Sequence, residues 1–262
     1  MSDDIQPTQD ENPEEETTQQ PVEVSMERVE KLLAEGKICE DHGRMRWSSN
    51  YTALVTVEDD ELQTMAVYKP QRGERPLWDF PDGTLCYREV AAYIVSRALE
   101  WDIVAPTVLR EGSIGIGSVQ LFVEHDPRIT YFQLTDDFVP QLQRVATFDY
   151  LVNNTDRKGG HLLLDAQGKL WGIDHGICFH SHPKLRTVIW DFAGEEIVKD
   201  ILADVQMLCG KLETKDSELH NRLKSLLSRV EIDALRGRIE HVLQTRRYPK
   251  PGPGPNYPWP AV

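Results

Sequence analysis

The chain has 262 residues, is 40% hydrophobic and 27% charged, and carries a formal net charge of −14. That apolar content suffices for a sizeable core, which excludes a wholly disordered chain, and the length fits one medium domain or two small lobes. No apolar stretch approaches the ~20 residues needed to span a bilayer, and the acidity repels nucleic-acid phosphates, so membrane insertion and general nucleic-acid binding are both excluded.

The charge is unevenly placed. Residues 1–24 carry eight acids and no Lys or Arg, which leaves −6 for the other 238 residues. This segment has almost no large apolar side chains to offset the entropy of ordering, so a disordered acidic tail is expected. It has no basic region followed by an apolar one, as a secretory signal would. Cys39, Cys86, Cys178 and Cys209 stand far apart without a CxxC pair, which fits a reducing, cytoplasmic setting.

Met26–Glu35 reads as a short helix ended by Gly36. Tyr51–Glu58 and Gln63–Tyr68 alternate apolar residues around an acidic turn and read as a hairpin. The loop Pro70–Pro81 holds Arg72, Arg75 and Trp78; it either contacts phosphates or covers the cleft, or it is a Pro-rich surface loop with Trp78 packed inward. Leu85, Val90, Ile94 and Ala98 recur at helical spacing within 84–100. Strands are expected at Val104–Leu109 and Ser118–Glu124, with the glycines of GSIGIG turning between them. Helices follow at 140–153, 195–211, 214–228 and 230–246, with short strands near 161–164 and 170–173. Trp190, Asp191 and Phe192 are expected to pack in the core and begin a helix. The six prolines of 248–262 predict an extended tail, read as a passive arm on the domain rather than a motif for an aromatic groove in a partner. The expected organisation is an acidic tail over 1–24, a sheet-rich lobe over 25–125, a helical lobe over 126–247 and a Pro-rich tail over 248–262. That is an α+β fold in two lobes.

The stretch 148–179 carries the chemistry. A helix runs into the polar turn Asn153–His161, which holds Asp156 and Arg157. Two short apolar strands then deliver Asp174, followed by His175 and Gly176. A hairpin of this length sets the Asp156 loop beside Asp174. Two converging acids suit phosphoryl transfer: one carboxylate orients or accepts a proton from the attacking hydroxyl, and the other holds the Mg²⁺ that neutralises phosphates. Each alone is equally well a turn residue. Upstream, Lys69 ends a strand and Glu89 lies in the next helix, the order in which a kinase fold places its phosphate-holding lysine and its carboxylate partner. Singly, they read as an edge-strand lysine and a solvated glutamate. The cluster His175, Cys178, His180 and His182 is weighed as a zinc site and set aside for local crowding.

With these parts in this order, the chain resembles the phosphatidylinositol 3-/4-kinase-like branch of the protein-kinase superfamily, and within it an uncharacterised bacterial family so described. The resemblance implies a bilobal, atypical protein-kinase-like α+β fold. Asp156-Arg157 in NTDRKGGH resembles the branch's catalytic loop, and Asp174-His175-Gly176 its metal-binding turn. Lys69 and Glu89 resemble the nucleotide lysine and its partner. Ser48-Ser49-Asn50 stands at the phosphate-covering loop, which gives Ser49 and Asn50 as nucleotide contacts. Gln120–His125, with Glu124, stands at the interlobe connection. Lys158 takes the place of the branch's histidine and puts a cation near the γ-phosphate, with Arg157 offsetting charge in transfer. His161 takes the place of a metal-binding Asn, so either Mn²⁺ replaces Mg²⁺ with Asp174 and His161 as ligands, or Asp174 works with Asn154 or water.

The implied activity is ATP-dependent transfer of a phosphoryl group to an unidentified small-molecule or protein acceptor, with AMP transfer a variant of the same class. The alternative is a pseudokinase-like nucleotide-binding or interaction module, favoured by His161, a covering loop without glycine and a short core.

Overall fold

A computed structural model describes residues 24–44, 50–214 and 217–262. The acidic segment up to residue 23, together with Ser48 and Ser49, lies outside the described residues.

Ser25 caps helix α1 (Met26–Glu35), its hydroxyl accepting the Arg28 N–H at 3.2 Å. Five antiparallel strands then build one sheet: β1 (Lys37–Arg44), β2 (Ala53–Glu58), β3 (Gln63–Pro70), β4 (Thr107–Gly112) and β5 (Gly115–Leu121), in the order β1-β2-β3-β5-β4. Leu32 and Leu33 of α1 pack with Val55, Val57, Ala66, Tyr68 and Val119 to close one face. The β2–β3 hairpin has the expected register, from Ala53 opposite Tyr68 to Glu58 opposite Gln63. Strand β1 was not anticipated. Its sequence, KICEDHGR, lacks apolar alternation because it is an edge strand, and its pairing with β2 slips register twice.

Strands β4 and β5 correct the expected boundaries, since the glycine run lies inside the strands rather than between them. The reason is Tyr68. Its ring covers Gly112 and Gly117, where an added Cβ would come within 2.4 and 2.7 Å of it. Its hydroxyl donates to the Gly115 carbonyl.

Helix α2 (Leu85–Ala98) is buried along most of its length, because it packs against β4 and β5 on one side and the helical half on the other. The Glu74 carboxylate accepts the Leu85 and Cys86 N–H groups at 3.1 and 2.8 Å and so caps it. The helical half contains α3 (Val139–Val152), a two-stranded sheet of β6 (Leu162–Leu164) and β7 (Leu170–Gly172), α4 (Lys199–Glu213), α5 (Glu218–Lys224) and α6 (Arg229–Thr245). Helix α4 starts later than expected and α5 is half the expected length. Ser217 and Ser228 both cap helix starts and divide the run into separate pieces. No helix begins at Trp190–Phe192. These residues form a turn in which only Phe192 is buried.

The Pro-rich tail lies on the helical half, as an arm would. The Asn256 carbonyl accepts from the Thr187 N–H at 3.0 Å and Trp190 Nε1 at 3.1 Å, and the Ala261 carbonyl accepts the Gly159 N–H at 2.8 Å. Among the described residues, no helix is long and apolar enough to cross a membrane.

Candidate active site

The site is built where α3 ends. Asn153 closes the helix in the left-handed region, at φ 53°. Its side-chain amide donates to the His180 and His182 carbonyls, both at 2.8 Å, and its oxygen accepts the Lys184 N–H at 2.9 Å. The helix end thereby holds the segment that follows Gly176. Asn154 is fully buried, with its amide nitrogen on Asp149 at 3.0 Å and its oxygen on the Asp156 N–H at 3.0 Å. Both ends are used, so the alternative of Asn154 as a metal ligand is not supported.

Arg157 turns inward. Its guanidinium is wholly buried against an equally buried Asp149, at 2.9 Å, and also donates to the His161 and Ile173 carbonyls and to His175 Nε2. Burial opposes its charge, but Asp149 outweighs burial and holds the guanidinium pKa above its ordinary value. A group so enclosed does not reach a phosphate in the cleft, which corrects the expectation that Arg157 offsets charge during transfer. It clamps the Asp156–Lys158 loop to the segment that leads from β7 into Asp174.

The β6–β7 hairpin is turned by Asp165, which accepts the Gln167 and Lys169 N–H groups. The hairpin brings Ile173 back to His161, N–H to carbonyl at 3.0 Å, so Asp174 does stand beside the Asp156 loop. Asp174 itself is left-handed, at φ 61°, a costly conformation for a non-glycine residue. It is half exposed to the cleft.

Strand alternation puts Lys69 on the face opposite Ala66 and Tyr68. Its ammonium donates to Glu89 Oε1 at 2.6 Å and Asp174 Oδ1 at 2.7 Å. Burial disfavours the ammonium, yet Asp174 and Glu89 together hold its pKa above that of an ordinary lysine. In return Lys69, ahead of the opposing effect of burial, keeps the Asp174 carboxyl well below the usual carboxylate range. Glu89 also accepts the His175 N–H at 3.0 Å and so ties α2 to the turn. Asp156 pairs with Lys158 at 3.3 Å. Burial raises the Asp156 pKa, and Lys158 offsets part of that rise.

His161 Nε2 lies 3.4 Å from Asp174 Oδ2, and burial drops the imidazole pKa to about 4. The ring is therefore neutral near pH 7. Its Nδ1 accepts the Lys158 N–H at 3.4 Å, a weak bond that assigns the proton to Nε2, facing Asp174. In this tautomer His161 turns an N–H, not a lone pair, toward Asp174.

These groups surround a cavity of about 460 Å³ lined by Asn50, Lys69, Arg75, Glu89, Asp156, Lys158, His161 and Asp174 among others. Glu124 does not line it. It is exposed on the connection after β5 and contributes nothing to this chamber. Trp78 is not packed inward, being 93% exposed beneath an ion pair of Asp79 with Lys184, whose ammonium lies 4.7 Å from the indole centroid. The zinc reading also fails to assemble. His175 and Cys178 are buried, whereas His180 and His182 pair at the surface. Among the described residues, no group of three or more His, Cys, Asp or Glu could by itself hold a metal.

Sequence reasoning missed Asp149 and Glu74. Asp149 had a usable signal, since it is an acid on the apolar side of α3 between Phe148 and Leu151. Glu74 had none, because its partners lie on a helix start that only the folded loop brings near.

Two lobes around a cleft, with a strand lysine paired to a helix glutamate, define a kinase-like fold. Solved structures share it. The Helicobacter pylori proinflammatory kinase CtkA is similar over 82% of this chain and 94% of its own, with TM-score 0.50 at 12% identity. Hydra Fam20, solved with sugar, is similar over 84% and 87%, with TM-score 0.52 at 15% identity. Residues 88–221 match phosphatidylinositol 3- and 4-kinase, and the chain belongs to that family. Protein Rv2133c of Mycobacterium tuberculosis (strain ATCC 25618 / H37Rv) is 38% identical across 88% of this chain and 94% of its own length. Phosphatidylinositol 4-kinase gamma 4 of Oryza sativa subsp. japonica is 34% identical, but over 39% of this chain and 22% of the plant protein. The family match includes Glu89, Asp156 and Asp174 and begins after Lys69.

Proposed function

We propose that the chain is an ATP-dependent phosphotransferase that works at this cavity. The observation that carries the reading is Lys69, charged and held between Glu89 and Asp174 at 2.6 and 2.7 Å. This pairing keeps a cation extended into the cleft for the α- and β-phosphates of ATP.

The donors fit a divalent ion that the protein completes only in part. Mg²⁺ is ordinarily held by one or two carboxylates with phosphate oxygens and water supplying the rest. Asp174, half exposed to the cleft, is the carboxylate for that purpose. His161 would join it only in the other tautomer, giving up the Lys158 N–H; with Mn²⁺ that exchange is less costly, since imidazole suits softer ions. When bound, the ion would neutralise phosphate charge. Asp156 orients the acceptor hydroxyl and takes its proton, a role helped by the burial that raises its pKa. Lys158, beside it, offsets charge on the transferred group, and Asn50 borders the phosphates. Transfer of AMP instead of phosphate would use the same residues.

Asp174→Ala should abolish turnover of ATP with Mg²⁺ or Mn²⁺, read as labelled phosphate released or added to the protein itself. Turnover retained in that variant would sink the reading. A binding module is the second reading, favoured by His161 in the ligand position. It predicts metal-dependent nucleotide binding without turnover in the unaltered protein.

A further inference from the structure

The cavity is rich in acids, and a nucleoside triphosphate adds more negative charge. Cations must therefore face the phosphates, yet most of those present are already engaged. Lys69 sits between two carboxylates and Lys158 pairs with Asp156 at 3.3 Å. Arg75 lines the same cavity, and the hydrogen bonds and ion pairs among the described residues leave its guanidinium without a partner.

Its backbone is nevertheless fixed. Asn50 Oδ1 accepts the Arg75 N–H at 2.9 Å, and the Gly73 carbonyl accepts the Tyr51 N–H at 3.0 Å. Residues 71–75 are thereby fastened to the entry of β2, over the cavity. Neighbouring Glu74 makes no ion pair with Arg75 among the described residues; both its carboxylate oxygens face the Leu85 and Cys86 N–H groups. Those same bonds occupy the positive end of α2, which also borders the cavity, and so remove it as an anion site. Between Arg44 and Thr52 the chain has no glycine to bring backbone amides close to phosphates.

We propose that Arg75 grips the polyphosphate of the nucleotide, supplying from the β3–α2 loop the donors that a glycine-rich loop would supply from its backbone. The planar guanidinium fork suits two phosphate oxygens at once. The proposal rests on the ATP reading given above.

Calorimetric titration of the full chain separates the two. The unaltered protein, Arg75→Ala and Arg75→Lys are titrated with AMP, ATP and inorganic tripolyphosphate in the presence of Mg²⁺. A hydrogen bond to a charged group contributes about 1.5–3 kcal/mol, so Arg75→Ala should lose about tenfold or more in affinity for ATP and tripolyphosphate. AMP affinity should stay unchanged, and Arg75→Lys should recover part of the loss. A smaller loss for ATP, or an equal loss for AMP, overturns the role of Arg75 while leaving the ATP reading intact. An unaltered protein that binds no nucleotide overturns the ATP reading itself. Unchanged melting temperatures in both variants establish that the fold is intact, as expected for a side chain with no bond inside it.

Discussion

Arg157 and Asp149 face each other with no solvent on either side, in an interior where one charge without the other is costly. Asp149→Ala would strand the guanidinium among the His161 and Ile173 carbonyls, which cannot neutralise it. Unfolding stability should fall by about 3–5 kcal/mol, measured by denaturant titration. A loss under about 1 kcal/mol would show that the clamp does not hold the core. The same pair explains how Asp174 keeps its left-handed conformation. Arg157 fixes the Ile173 carbonyl before it, Glu89 fixes the His175 N–H after it, and Lys69 holds its carboxylate. The strain is borne by three neighbours from three different elements.

At the scale of elements, the Pro-rich tail touches the loop that follows Asp156, and the β3–α2 loop lines the cavity itself. The tail gives its Ala261 carbonyl to Gly159, three residues beyond Asp156, while Phe132 lies where a Gly159 side chain would project. Removing residues 249–262 frees the Gly159 and Thr187 N–H groups and loosens the loop that carries Asp156. We expect kcat to fall at least tenfold with the nucleotide KM little changed, since Lys69 and Asp174 lie apart from the tail. Unchanged kcat on truncation would reduce the tail to surface packing. The β3–α2 loop meets the helical half through Asp79 and Lys184, and again where Phe80 packs edge-on against His180 at 5.3 Å. These contacts join the loop to the helical half and leave the Trp78 ring exposed beneath the Lys184 ammonium.

For the whole molecule, the net charge of −14 describes two different things. More than half belongs to residues 1–24, whereas the cavity sets Lys69, Arg75 and Lys158 against Glu74, Glu89, Asp156 and Asp174 and so keeps a small acidic excess. A bound divalent ion would reduce that excess, so nucleotide with metal should stabilise the fold more than nucleotide alone. At about a hundred times Kd, ligation is worth about 2.7 kcal/mol, or roughly 5–10 °C in melting temperature for a chain of this size. Such a shift with ATP and Mn²⁺ that vanishes on chelation supports the site as read. The same shift without turnover points to a nucleotide-binding module, and its absence with every nucleotide points to an interaction module and counts against the enzyme.

Much of the fold was legible from local pattern. The 3.6-residue and two-residue periodicities announced α2, α3, α6 and the β2–β3 hairpin, and their order announced a kinase-like plan, because hydrophobic spacing is written into neighbouring residues. Edge strand β1, the shortened α5 and the shifted β4 and β5 were not legible, since partners across the sheet and serine caps decide them. The site divides the same way. Residue type and order along the chain were enough to single out Lys69, Glu89, Asp156 and Asp174. Only the tertiary structure decided that Arg157 is a buried clamp, that Glu124 stands outside the cavity, that Asn154 is bonded at both ends of its amide, and that Arg75 has no side-chain partner among the described residues. Charge, burial and hydrogen-bond satisfaction depend on groups dozens of residues apart: a sequence names the groups, and folding decides which of them remain unpaired.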